Sequence, residues 1–356
     1  MTDRNDELVA AVALAVEQNT ALAICGGNSK AHMLGRDLDD ETVGELHLST
    51  HTGIVDYHPT ELVITARAGT PLRDIKHLLA KEGQMLAFEP PDFDGRATLG
   101  GTLACNMSGP ARPWQGSCRD MVLGVQLING RAELLNFGGQ VMKNVAGYDV
   151  SRLQAGALGT LGVLTQVSLK VLPMLERHIT LSYEMNATAA IELMNRRSAI
   201  AKPLSGACWT NGLLYLRLSG DNSAVTHTAR QWGGDEVARG TEFWRSLREF
   251  THPFFTTPEP LWRFSLCPTA PTHQSTKNLF IDWGGAQRWL RGTVDRAALE
   301  NEAEQVGGHV SLFRGGDRSQ EVKHPLSPVH REFHQRLKHA FDPQGIFNPG
   351  RLYSWM

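Results

Sequence analysis

Residues 21–30, ALAICGGNSK, decide how this chain is read. Ala21–Cys25 is a short apolar run of strand character, and it ends directly on Gly26-Gly27-Asn28-Ser29-Lys30. A strand that runs into paired glycines lets the backbone approach a phosphate closely, because no Cβ holds the anion away from the N–H groups. Two more glycine-rich loops lie in the same half of the chain. Thr98-Leu99-Gly100-Gly101-Thr102 leads into a segment holding Cys105 and Ser108, and Gly116-Ser117-Cys118-Arg119-Asp120 follows. Each alone reads as a turn. Together they offer backbone N–H groups and small hydroxyls with little positive charge, which suits a diphosphate held by backbone dipoles. On this reading, bulk at Gly27 or Gly101 blocks the ligand more than it disturbs folding.

Working outward, Asp6–Gln18 reads as a helix with acidic residues in its first turn. Leu62–Arg67 reads as a strand ending at Ala68-Gly69. Thr70 is then the expected N-cap of a helix that starts at Pro71, carries Leu72, Ile75, Leu78 and Leu79 on one face, and stops at Gly83. Val122–Ile128 and Ala132–Phe137 flank Asn129-Gly130, a hairpin signal. Val163–Leu172 is β-rich, and a helix over Arg331–Phe341 is stopped by Asp342-Pro343-Gln344-Gly345. Strands and helices mix irregularly, so the expected class is α+β. Six tryptophans, at 209, 232, 244, 262, 283 and 289, imply either a second, aromatic core or a pocket over a planar ligand.

Composition bounds the function. Lys and Arg total 35 against 37 Asp and Glu, a net charge of −2, so no general attraction to nucleic acid or anionic lipid is expected. The 5 cysteines stand apart without a CxxC pair, which excludes the usual zinc and iron–sulfur spacings and suits a reducing compartment. Acidic residues precede the apolar run Leu8–Val16, unlike a secretory signal, and no run approaches the ~20 residues that span a bilayer. A cytoplasmic protein is expected. P-loop, G-x-G-x-x-G and G-x-S-x-G signatures are absent from the sequence. His330 and His334 have helical spacing but no obvious third ligand, so no metal site is assigned.

In this order the segments resemble the flavoproteins of the vanillyl-alcohol-oxidase type, the PCMH-type FAD-binding family. Cys25–Lys30 stands as the pyrophosphate loop, followed by Leu62–Thr70, Thr98–Gly109, Gly116–Gly124, Gly159–Thr165 and the ending FDPQGIFNPGR at 341–351. The closer resemblance is to the FAD-binding subunits of bacterial glycolate oxidases. Its marks are Asn28-Ser29-Lys30, DYHPTELVITARAGT at 56–70, VMKNVAGYD at 141–149 and IDWGGAQRWL at 281–290, and it covers the whole chain.

The resemblance implies a two-subdomain FAD-binding domain over 1–173, a smaller α/β cap over 174–325, and a return to the FAD domain over 326–356. It implies FAD contacts at Cys25, Gly26, Gly27, Asn28, Ser29, Lys30, Gly69, Thr98, Gly100, Gly101, Cys105, Ser108, Gly116, Ser117, the main chain of Val163, and Asn348 near the isoalloxazine. Some relatives attach flavin through a His in the first loop. Here Ser29-Lys30-Ala31 fills that place and His32 comes late, so non-covalent FAD is expected. The implied reaction, of an FAD-dependent oxidoreductase acting on CH–OH donors, takes glycolate or another 2-hydroxy acid to the 2-oxo acid, with hydride passing to flavin and a base taking the hydroxyl proton. The histidine-rich metal motif of full-length relatives is reduced to His309 within Gly307–Arg314. His309 is the candidate base, and Arg263, Arg288 and Arg314 are candidate carboxylate anchors. Implied partners are a second flavoprotein subunit and an iron–sulfur subunit, which carry electrons to a membrane acceptor and allow at most peripheral association with the inner face of the membrane. The alternative is a self-sufficient oxidoreductase for another 2-hydroxy acid, a small alcohol or a sugar acid.

Overall fold

The computed structural model describes residues 3–37, 43–139, 149–272 and 277–356. Residues 141–148 of the VMKNVAGYD run lie outside them. The first helix, Asn5–Gln18, buries Leu8, Val12 and Ala15, spaced so that they share one face, and ends at Asn19 in the left-handed conformation. Strand Leu22–Cys25 pairs in parallel with Gly44–His47. Behind them stands a five-stranded antiparallel sheet in the order Ile54–His58, Val63–Arg67, Val163–Lys170, Val122–Ile128, Leu134–Gly138. Ile64, Ala66, Val125, Leu127 and Val167 from this sheet pack with Ile75 and Leu79 of helix Leu72–Lys81 in one core.

One local expectation is corrected. Thr70 does not cap helix Leu72–Lys81; Pro71 stands at the cap without a side-chain bond. The Thr70 hydroxyl instead receives the Gly53 N–H and donates to the Gly53 carbonyl, tying two loops together. The hairpin expected at Asn129-Gly130 forms, joining Val122–Ile128 to Leu134–Gly138. The hairpin closes over five residues, Asn129 N–H donates to the Glu133 carbonyl, and Ala132 takes the left-handed position. A Cβ on Gly130 would lie 2.7 Å from Asp342 Oδ1, so this glycine serves a close approach to the C-terminal segment.

Residues 177–314 supply an eight-stranded antiparallel sheet, ordered Asp235–Glu236, Arg177–Glu184, Leu213–Gly220, Leu204–Thr210, Leu279–Asp282, Gln287–Arg291, Leu261–Ser265, His309–Arg314. Helices Ala187–Ser198, Asn222–Trp232 and Arg296–Gln305 cover its outer face through two apolar clusters. Strand alternation sends Trp289, Phe280 and Phe313 to the other face, where they join Met33, Leu34, Met107 and Leu158 from the first half of the chain. Trp209, Trp232, Trp244, Trp262 and Trp289 are all core residues. Trp283 is the exception among the six: it donates to the Gly109 carbonyl at 3.1 Å and carries Arg112 over its ring.

The C-terminal motif returns to the first core. Helix Pro328–Phe341 ends at Asp342, whose buried carboxylate receives the N–H groups of Ile346 and Phe347 and the Lys338 ammonium. Lys338 also donates to the carbonyls of Thr160 and Phe347. Phe347 then bridges Leu22 in parallel. Among the described residues no helix is long and apolar enough to cross a membrane.

Candidate functional site

A cavity of ≈ 460 Å³ opens where the first strand, the second glycine loop and the returning tail meet. Cys25, Gly26, Gly27, Asn28, Ser29 and Lys30 line it in one continuous run. Asn28 holds φ 53°, a left-handed position that turns neighbouring N–H groups toward one side. Among the described residues, the backbone N–H groups of Gly26, Gly27, Asn28, Ser29 and Lys30 meet no protein acceptor. Five successive unshared donors at a cavity wall are the chemistry a diphosphate requires, so this cradle fits the pyrophosphate of FAD.

The reason for the glycines is partly different from the expected one. A Cβ on Gly27 would lie 1.7 Å from the Arg96 carbonyl oxygen, and one on Gly26 would lie 2.6 Å from Thr98 Oγ1. The protein itself crowds the loop from behind, and this pressure fixes its shape. Thr98, Gly100, Gly101 and Cys105 also line the cavity. The amides of the second loop are occupied, however: Gly100 N–H donates to the Ala68 carbonyl and Gly101 N–H to Thr98 Oγ1. At Gly100 and Gly101 this loop supplies shape, not donors. Asn348 lines the cavity with its amide engaged, accepting from Ile24 N–H at 2.7 Å and donating to the Leu158 carbonyl at 2.6 Å.

Five sequence candidates do not line this cavity. Gly69 packs under Leu48, whose carbonyl a Cβ would meet at 1.8 Å. Ser108 accepts from Cys118 N–H. Gly116 ends a short helix at φ 88°, and Ser117 forms a reciprocal cap with Asp120. Val163 is fully buried and paired with Ile128, although its neighbours Gly162 and Leu164 do face the cavity.

The catalytic candidates divide sharply. Arg314 donates to the Phe255 carbonyl, and Arg288 donates to the carbonyls of Pro271, Ala270 and Gly285. The Arg288 guanidinium is engaged through all three nitrogens, whereas Arg314 is tied to its loop through Nη2. Arg263 stands over the Phe313 ring and has no ion pair among the described residues. Burial, reinforced by the Arg112 charge, pulls its pKa down to about 10. It lines a small second cavity of ≈ 30 Å³ together with Ser108, Arg248, Asp282 and Trp289. His309 begins the edge strand opposite Ser265. Desolvation first, then Arg263, His324 and Lys323, push its pKa down, which keeps the imidazole neutral and able to accept a proton.

Sequence reasoning missed several residues. Arg351 and His32 line the main cavity. Asp282, inside the quoted IDWGGAQRWL run, has its pKa raised by burial to about 7. Lys323 has its pKa lowered to about 7 by desolvation and by Arg263, Arg318 and Arg351. The Asp282 run was visible as a motif, but nothing local marks Lys323.

Residues 2–138 match the family described as FAD binding domain, and residues 314–352 match FAD linked oxidases, C-terminal domain. The chain is 45% identical over 352 residues, 99% of its length and 98% of the relative's, to glycolate oxidase subunit GlcE of Escherichia coli (strain K12). Over 130 residues, 36% of this chain and 27% of the relative, it is 32% identical to glycolate oxidase subunit GlcD of Bacillus subtilis (strain 168). In fold it is similar to alkyldihydroxyacetonephosphate synthase, with a TM-score of 0.67 at 15% identity, covering 98% of this chain and 75% of that one.

Proposed function

The chain belongs to the family of the glycolate oxidase subunit GlcE, and from that premise we propose that it works as the FAD-binding subunit of a glycolate-oxidising complex. It is an FAD-dependent oxidoreductase subunit acting on a CH–OH donor. The observation that carries the cofactor assignment is the run of five unshared amides at Gly26–Lys30 on the wall of the large cavity. When bound, FAD supplies the two-electron oxidation of the hydroxy acid.

The chain's own residues then have distinct tasks. Gly26–Lys30 hold the diphosphate. Lys338 and Asp342 lock the returning tail, so that Asn348 closes the cavity against the first strand. Arg263 attracts the substrate carboxylate from the inner face of the large sheet, and neutral His309 takes the hydroxyl proton. Residues 174–325 act as the cap that keeps water from the reacting groups.

The partners belong to the same proposal: a second flavoprotein subunit and an iron–sulfur subunit. Its support is the likeness to both GlcE and GlcD proteins and the single, scattered cysteines of this chain. The test is anaerobic addition of glycolate to the purified chain, alone and with each partner combination, while flavin absorbance and dye reduction are followed. Slow bleaching alone and fast turnover in the complex are expected. Full turnover by the isolated chain would reject the subunit reading. FAD is held non-covalently in this proposal: acid precipitation should leave yellow FAD in the supernatant, and flavin in the pellet would show a bond to the protein.

A further inference from the structure

Three adjacent strands of the large sheet turn polar side chains to its inner face. Arg263 lies directly opposite Trp289 across one strand pair, and Trp289 lies opposite Phe280 across the next. Partners in register share a face, and so do residues two apart along a strand, so Gln287 and Asp282 stand on that face beside them. Arg263, Trp289, Gln287 and Asp282 all line the small cavity of ≈ 30 Å³, together with residues 106–110 from the first half of the chain. The residues just before those, Ala104 and Cys105, line the large cavity, so one continuous segment walls both.

Donors in this small cavity are left over. Trp289 is 2% exposed, and its indole N–H is buried with no hydrogen-bond acceptor. Edge contacts with Phe250, Phe255 and Phe313 hold the ring, and with it the N–H, in one orientation. The Phe313 ring, 4.8 Å from that of Trp289, also carries the Arg263 guanidinium at 5.5 Å, so the two groups are neighbours. Arg263 makes no ion pair among the described residues. The other charged groups are committed: Arg248 pairs with Glu249 at 2.8 Å, and Asp282 accepts from the Trp283 N–H at 2.7 Å and from the Gln287 amide at 3.5 Å. Asn106 Oδ1 is buried without a partner as well. Buried polar groups left unpaired are costly, and an anion relieves both the guanidinium and the indole N–H at once. The space admits about two water-sized groups, the size of one carboxylate.

We propose that the Trp289 indole N–H, side by side with Arg263, binds one carboxylate oxygen of the hydroxy acid in this small cavity and so fixes which end of the acid is buried. The assignment rests on the proposed oxidation of a hydroxy acid and names a further residue that holds that substrate. Two donors on adjacent strands, one charged and one neutral, set the plane of a carboxylate as a single flexible guanidinium does not. The carbon that bears the hydroxyl is then left toward residues 104–105, on the side of the large cavity. A ligand end that only donates hydrogen bonds finds no acceptor at Arg263 or at the indole N–H and is turned away.

The test is NMR of the tryptophan indole N–H groups in the isotope-labelled, FAD-loaded chain, titrated with sodium oxamate, a small monocarboxylate that neither reduces flavin nor reacts with amines. The Trp289 signal, identified by its proximity to the Phe313 ring, should move downfield and saturate. The Trp262 signal should stay, because that N–H already serves the Gly292 carbonyl. Calorimetry then compares oxamate affinity in wild type, Trp289→Phe, Arg263→Gln and Trp262→Phe, with FAD content measured in each. Trp289→Phe should weaken binding by about 10- to 100-fold, the worth of one hydrogen bond to a charged group. Arg263→Gln should weaken it at least as much and abolish the Trp289 shift. Trp262→Phe, a buried change in the outer cluster, should bind as wild type does. The wild-type spectrum decides even where Trp289→Phe fails to fold. A Trp289 signal unmoved by oxamate, wild-type affinity in Trp289→Phe, or an equal loss in Trp262→Phe would overturn the proposal. Absence of oxamate binding by the FAD-loaded wild type would also overturn it and would leave the FAD-subunit reading standing. A wild type that takes up no FAD would strike at that reading and at this proposal together.

Discussion

Replacing Gly27 by alanine tests the diphosphate cradle most directly. The new Cβ would stand 1.7 Å from the Arg96 carbonyl oxygen, and contacts below 3.0 Å force something to shift. Backbone must therefore separate from backbone by more than an ångström, at a cost of about 1–3 kcal/mol of overpacking. The displacement falls on the loop whose five N–H groups lack a protein acceptor at the cavity wall. Charge-assisted hydrogen bonds contribute about 1.5–3 kcal/mol each, so misaligning two of them removes about 3–6 kcal/mol. FAD affinity should fall by about 10²–10⁴. Gly101→Ala is the contrast, because its Cβ would meet Thr98 Oγ1 at 3.1 Å and the end of Lys30 at 3.9 Å, and its N–H already serves Thr98. That variant should stay within about tenfold of wild type. Titration of apoprotein with FAD gives both affinities, and circular dichroism with thermal melting checks the fold. Wild-type affinity in Gly27→Ala refutes the cradle. An equal loss in Gly101→Ala would place the diphosphate on the second loop instead.

Lys338→Met should lower the melting temperature by roughly 10 °C, because it strands the fully buried Asp342 carboxylate; adding Asp342→Asn should restore part of the loss, and an unchanged melt would show that the pair does not lock the tail. Asp282 gives a pH prediction. Its folded pKa of about 7 lies above the ordinary 3.8, so the folded state holds the extra proton between those values and stability falls as pH rises through that window. Asp282→Asn should therefore gain in melting temperature over wild type progressively from pH 5 to pH 8, and a constant difference would exclude the titration.

By itself the sequence determined what is local. The strand–Gly-Gly junction at Cys25–Lys30 follows from residue types that fix backbone shape within a few positions, and so does the stop at Asp342–Gly345. The aromatic richness of residues 209–289 announced a second core, because such large apolar surfaces must be buried somewhere. Resemblance over the whole chain then supplied the cofactor. Only tertiary structure decided which polar groups are free. Whether Gly100 N–H faces a phosphate or the Ala68 carbonyl depends on a strand thirty residues earlier. Whether Arg314 and Arg288 can hold a carboxylate depends on the loops whose carbonyls already hold them. A side chain's partner is set by segments distant in sequence, and its availability for chemistry is what remains after those partners are satisfied.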